Sequence, residues 1–178
     1  MISACVYIGA SLDGFIARAD GDISWLVKFG DNDAIEAYNE FLATIDVIVI
    51  GRGTYEKVLT FPQWPYDKPV FVLSRTIKEA PVRLKDKASV LALKPSDVLK
   101  RLSDEGFSAA YIDGGKVIQS FLAEDLIDSL IIATVPVLIG SGLPLFGPLD
   151  RDICFDHVQT RTYSNGLVRS YYQRNRVI

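Results

Sequence analysis

The chain is short of the residues that most often carry metal or nucleophilic chemistry. It has one histidine, His157, and two cysteines, Cys5 and Cys154, among 178 residues. A single histidine in an alternating stretch leaves no visible Ser-His-Asp triad, and a solvated or hydrogen-bonded strand position is expected for it. The cysteines lie in separate apolar stretches without metal-ligand spacing, so both are expected to be buried, free thiols. The H-x-E and C-x-x-C pair of zinc nucleobase deaminases is missing, and so is a G-x-S-x-G elbow.

A basic surplus is missing as well. Nineteen Lys and Arg against 22 Asp and Glu give a net charge of −3, the wrong sign for a nucleic-acid face. A local basic pocket for a small anion stays open. No apolar run approaches the length of a membrane span, and no charged-then-apolar leader opens the chain. A cytoplasmic protein without a membrane partner is the expectation. With 49% hydrophobic and 23% charged residues the composition is that of a globular domain. No repeat, low-complexity stretch or linker divides it, so residues 1–178 are expected to form one domain.

What the chain does have is alternation of element types. "ISACVYIGA" reads as a first strand, followed by the turn-rich "SLDGFIARADG". "DNDAIEAYNEFLATI" predicts a helix with N-caps available at Asp31 to Asp33 and with Ile35, Tyr38, Phe41, Leu42 and Ile45 near helical spacing. "DVIVIG" is a continuous apolar strand of the kind buried on both faces. "VFVLSR", "ASVLAL" and "AAYID" read as further strands. "KPSDVLKRLSDEG" predicts a helix capped by Ser96 and stopped by Gly106, and "KVIQSFLAEDL" another helix. "IDSLIIATVPVLIG" predicts one long strand. The tail from Cys154 to Gln173 alternates around Ser164-Asn165-Gly166, a hairpin signature. The expected class is α/β, with a mostly parallel sheet and an antiparallel edge.

Two apolar strands end in glycine and meet a helix start, "VIVIG-RGTYE" and "AAYID-GGKVI". Ligands of open α/β sheets collect outside the carboxyl ends of the strands. A helix start offers free N–H groups to an anion, and glycine lets it approach. "AYIDGGK" lacks the first glycine of a P-loop and has Val117 where that motif needs Ser or Thr. "GRGTYE" ends in Glu56, so the dinucleotide fingerprint is absent. Arg52 and Thr54 stand at the first start, and Ser74-Arg75 closes the neighbouring strand. Two guanidinium groups with two hydroxyls suit phosphate; individually each is as readily a cap or a surface cation.

These segments, with "ISACVYIGASLDGFIA" and "IIATVPVLIGSGLPLFG", together resemble the dihydrofolate reductase superfamily. The resemblance is to its branch related to the reductase domain of bacterial riboflavin biosynthesis, and it covers nearly the whole chain. It implies a mixed, mostly parallel sheet of about eight strands with flanking helices and a C-terminal antiparallel hairpin. It also implies NADPH as cofactor. By matching positions, Gly51, Arg52 and Thr54 would serve the 2′-phosphate and pyrophosphate, and Ser74 and Arg75 the adenosine end. Gly114, Gly115, Lys116, Val117 and Ile118 would wrap the pyrophosphate and ribose, and Ile16 and Ala17 would lie by the nicotinamide. The Gly-Gly peptide of the family is often cis.

The resemblance thins around the substrate. Trp25 matches a family tryptophan over the active site. The position where folate reductases hold the pterin with a carboxylate falls on Ile35, with Glu36, Asp31 and Asp33 close by. That carboxylate is therefore expected to be missing, which argues against dihydrofolate reduction. "S-x-DG", here Ser11, Asp13 and Gly14, matches the riboflavin branch. Asp13 is a candidate proton donor or orienting group, and equally a turn-forming Asp. Tyr7, Tyr55 and Trp25 are candidate aromatic walls. A phosphosugar substrate would need cations such as Lys28 or Arg18. Asp113 stands where folate reductases often have a third glycine. Three readings follow: an NADPH-dependent reductase of a small heterocyclic or carbonyl substrate, a separate 5-amino-6-(5-phosphoribosylamino)uracil reductase, or a non-catalytic nucleotide-binding module. The apolar "SLIIATVPVLIGSGLPLFG" and the habit of the relatives make a homodimer the expected assembly.

Overall fold

The unbroken apolar runs of the sequence become central strands because both of their faces are covered. The structure is a computed structural model and describes residues 2–176. The chain opens with β1 (Ser3–Ser11), the short β2 (Phe15–Ala17), the one-turn α1 (Ser24–Val27) and α2 (Asn32–Ala43). β3 (Val47–Gly51) runs into α3 (Arg52–Val58), and β4 (Val70–Leu73) and β5 (Ala88–Leu91) follow. Next come α4 (Pro95–Asp104), β6 (Ala109–Asp113), α5 (Gly115–Ala123) and β7 (Ser129–Val135). The two-residue β8 (Leu143–Pro144) precedes the hairpin of β9 (Phe155–Thr162) and β10 (Val168–Arg174).

Eight strands form one sheet in the order β5-β4-β3-β6-β1-β7-β10-β9. Neighbours are parallel from β5 through β7, and the hairpin adds the antiparallel edge. This is the expected architecture. Alternation along β3 sends Val47 and Val49 into the core shared with α4 and α5, beside Ile112, Ile118 and Phe121. Ile48 and Ile50 enter the opposite core with Phe41, Tyr55 and Tyr111. The hairpin tip is tied back to the start of α2, where the Asn165 amide donates to the Phe29 carbonyl at 2.9 Å and to Asp31 at 3.1 Å.

Several expectations need correction. The long strand stops at Val135, because Pro136 cannot continue the ladder; beyond it Leu138 is 71% exposed. The cap position of α4 is Lys94, followed by Pro95 at the first helical position, and Ser96 lies inside the helix. Ile35 faces solvent, 51% exposed, while Ala37 takes the buried place on α2. The loop after β1 is not free of strand: β2 pairs with β8. Cys5 is half-buried and Cys154 is exposed, both free. All peptide bonds among the described residues are trans, including Gly114–Gly115, and a positive φ at Gly114 makes the turn.

Phe121 is fully buried where α5 meets the sheet. Phe121→Ala is expected to cost about 3–5 kcal/mol, read as a lower urea midpoint with an unchanged slope.

Candidate active site

β3 and β6 end side by side, with Ile50 in register with Asp113. Each runs directly into a helix, and neither Gly51 nor Gly114 offers a side chain to cap it. The first N–H groups of α3 and α5 are thus left for another partner. Gly114 adopts φ +94°, and a Cβ there would come within 2.6 Å of the Thr54 hydroxyl. Only glycine tolerates both the backbone and the contact. Two helix starts therefore meet at one point.

They open onto a groove of about 910 Å³ along the carboxyl ends of β5, β4, β3, β6 and β1. Of the residues nominated above for a cofactor, Ile16, Ala17, Gly51, Arg52, Thr54, Ser74, Arg75, Gly114, Gly115, Lys116 and Val117 line it. Ile118 does not: it is fully buried in the core beside Phe121. At the β4 end the Ser74 hydroxyl accepts from the Ile77 N–H at 2.9 Å and so shapes the turn that carries Arg75. Arg52 reaches the Thr76 hydroxyl at 3.3 Å. Lys94, unnoticed in the sequence, extends the cationic lining beyond β5.

At the other side of the glycine junction stands Asp113, the last residue of β6. Burial pushes its carboxyl up to about 6, against the opposing pull of the Gly114 N–H. The Tyr111 hydroxyl donates its proton to the Tyr7 carbonyl at 2.8 Å. Tyr38 packs edge-on to Tyr111 with ring centroids 6.4 Å apart. Burial, then the charge of Asp113, drives the Tyr38 phenol up to about 12 and raises Tyr66 too. Tyr66 lines the groove and comes from the proline-rich segment between α3 and β4. A carboxyl screened from water holds a proton more readily than an exposed one. The sequence signal was present: an Asp directly before two glycines at a strand end.

Asp13 has a different task. Its carboxylate accepts from the Ser11 hydroxyl at 2.6 Å and from the Gly140 and Ile139 N–H groups at 2.7 and 3.2 Å. The Ser11 bond above all holds its carboxyl below the usual range, so it stays ionised and is a poor proton donor. Gly14, at φ +81°, closes the turn onto the Ser11 carbonyl. Asp13 thereby fastens the segment after β7 to the end of β1, outside the groove lining. Trp25 is 4% exposed and packs with Tyr163 and Leu167, its indole N–H without a partner. Its neighbour Leu26 reaches the groove instead. Tyr7 and Tyr55 lie behind the lining.

No carboxylate of α2 enters the groove. Asp31 caps the helix through the Ala34 N–H at 2.9 Å, Asp33 faces Arg161 at 3.5 Å, and Glu36 is exposed. Lys28 and Arg18 are also outside the lining. His157 bonds Thr160 on the exposed hairpin. Among the described residues, no cluster of His, Cys, Asp and Glu could hold a metal, and no helix is long and apolar enough to cross a membrane.

A family model described as the RibD C-terminal domain matches residues 5–169. The uncharacterised protein YwjB of Bacillus subtilis (strain 168) is 39% identical over 155 residues, 83% of this chain and 84% of its own. A crystal structure provisionally named a riboflavin biosynthesis protein, from Shewanella sp. PV-4, superposes with a TM-score of 0.92 at 39% identity, covering 98% of this chain and 100% of that one. Dihydrofolate reductase from Enterococcus faecalis, complexed with NADP(H) and RAB-propyl, has a TM-score of 0.69 at 15% identity, covering 98% and 96%. At that identity the likeness concerns the fold.

The Asp13 clamp has a local readout. Asp13→Ala is expected to speed amide hydrogen exchange at Ile139 and Gly140 by about tenfold, through loss of the carboxylate that accepts from both N–H groups. Exchange within β3 is expected to stay unchanged.

Proposed function

The chain belongs to the RibD C-terminal domain family, and on that premise we propose that it is an NADPH-dependent reductase of a small heterocyclic or carbonyl substrate. The observation that carries the reading is the groove itself: paired uncapped helix starts with arginines to one side, and a raised carboxyl to the other. NADPH, when bound, would supply the hydride and leave as NADP⁺. The N–H groups at the starts of α3 and α5 would take the pyrophosphate, which the bare Gly114 backbone lets approach. Arg52 and Arg75, carried by the turn that Ser74 holds, would take the 2′-phosphate. Ile16 and Ala17, at the other end, give an apolar wall for a flat ring.

Asp113 would carry the proton. As hydride joins the acceptor carbon, the π pair of its C=N or C=O bond moves to the heteroatom. That atom takes the proton from the Asp113 carboxyl, leaving a carboxylate that solvent reprotonates. A pKa near 6 suits this duty, since a donor works best when its pKa lies near the operating pH.

Two outcomes follow. Arg52→Ala is expected to weaken NADPH binding by on the order of ten- to a hundredfold and NADH binding by less than about twofold, because a charge-assisted phosphate contact contributes about 1.5–3 kcal/mol. Calorimetric titration with both nucleotides checks it. Turnover should be greatest with Asp113 protonated and fall as pH rises through about 6. Asp113→Asn should give a low rate that no longer follows that fall.

A further inference from the structure

Two short strands stand outside the main sheet. β2 and β8 form a ribbon of their own, with Phe15 opposite Pro144 and Ala17 opposite Leu143. Ile16, Ala17, Leu143 and Pro144 all line the groove, so the ribbon is its wall beside the start of α5. The contact is close. A Cβ on Gly115, the first residue of α5, would stand 3.0 Å from Cδ1 of Ile16 and 3.2 Å from the Pro144 carbonyl. A Cβ on Gly142 would collide with the Ala17 carbonyl, so bare backbone there lets the two strands lie together.

A ladder this short is marginal by itself, and its position is set from outside. On the β1 side the Leu145 N–H donates to the Gly14 carbonyl at 2.9 Å, and the Leu145 side chain is buried in the core. On the α5 side the tie is Gln119. Its amide donates to the Pro144 carbonyl at 2.9 Å and, less directly, to the Leu145 carbonyl at 3.4 Å. Gln119 lies about one turn along α5 from Gly115 and lines the groove itself. One side chain therefore links the ribbon to the helix whose start would take the pyrophosphate.

We infer that Gln119 is a positioning residue: by holding β8 against α5 it sets where the ribbon stands relative to the phosphate cradle, and so seats the nicotinamide end of the cofactor. This rests on the reductase reading and adds to it a residue that acts through the ribbon. The division of labour follows from place. Arg52, Arg75 and the two helix starts belong to α3, α5 and the end of β4, and would keep their hold on phosphate with the ribbon displaced. The ring end would lose its wall, since a gap of about 1 Å already forfeits up to half of the attraction between apolar surfaces.

The test uses the full chain and two nucleotides in a calorimeter. One is NADPH; the other is adenosine 2′,5′-bisphosphate, which keeps the adenosine and the 2′-phosphate and has no nicotinamide. Gln119→Met keeps the length of the side chain and removes the donor. It is expected to weaken NADPH binding by about three- to tenfold, the effect of one lost hydrogen bond, and the bisphosphate by less than about twofold. Amide exchange at Leu145 should quicken while that within β3 is unchanged. Gly142→Ala, which forces the two strands of the ribbon apart, should give the same split between the nucleotides. Equal weakening of both, or an NADPH affinity that Gln119→Met leaves unchanged, overturns the inference. So does a wild-type chain that binds the bisphosphate as tightly as NADPH, because the wall then contributes nothing. A wild-type chain that binds neither nucleotide overturns the reductase reading, and the inference with it.

Discussion

The site depends on a contact between a backbone and a hydroxyl, that of Gly114 against Thr54. With no Cβ on Gly114, the start of α5 comes up against the start of α3, and a residue with a side chain would collide at 2.6 Å. The parallel sheet makes the encounter possible, because β3 and β6 are hydrogen-bonded neighbours ending at the same level. Two sets of unpaired N–H groups then face one place. Their partial positive charge adds where the phosphates of a dinucleotide would lie. The fold supplies the rest as support: α4 and α5 close one face of the sheet, and α2 the other.

The same junction divides the groove chemically. Toward β5 the lining is cationic and exposed, suited to phosphates that keep part of their hydration. Toward β1 it is apolar and aromatic, with one carboxyl raised by the loss of water around it. Burial at the end of β6 is what lets Asp113 hold its proton to a higher pH than an exposed aspartate. A cation placed there would lower the carboxyl and weaken it as an acid. The two halves thus impose opposite demands, and β6, ending in Asp113 and followed by Gly114, is where they change over.

Much of this was legible in the sequence because it is written in local pattern. Apolar runs marked the buried strands, and glycine after an apolar strand marked both helix starts. What escaped depended on distant contacts. Asp13 looked like a candidate acid until the N–H groups of Ile139 and Gly140, more than a hundred residues away, were seen to hold it. Ile118 followed the cofactor residues in sequence, but helical geometry turns it into the core. Trp25 sits behind the groove lining, with its neighbour Leu26 in it. Asp113 drew notice for its position alone, because a raised carboxyl depends on burial that only the folded chain supplies.

On this reading β6, which ends at Asp113, and the glycines after it supply both the cradle for a dinucleotide and the acid beside it. The most direct test is a pH titration of the Asp113 side-chain carbon by NMR, in the protein alone and with NADP⁺ bound. A midpoint near 6 in the free protein, moved by the nucleotide, is the expected result. A midpoint close to the ordinary aspartate value of about 3.9, unmoved by nucleotide, would contradict it.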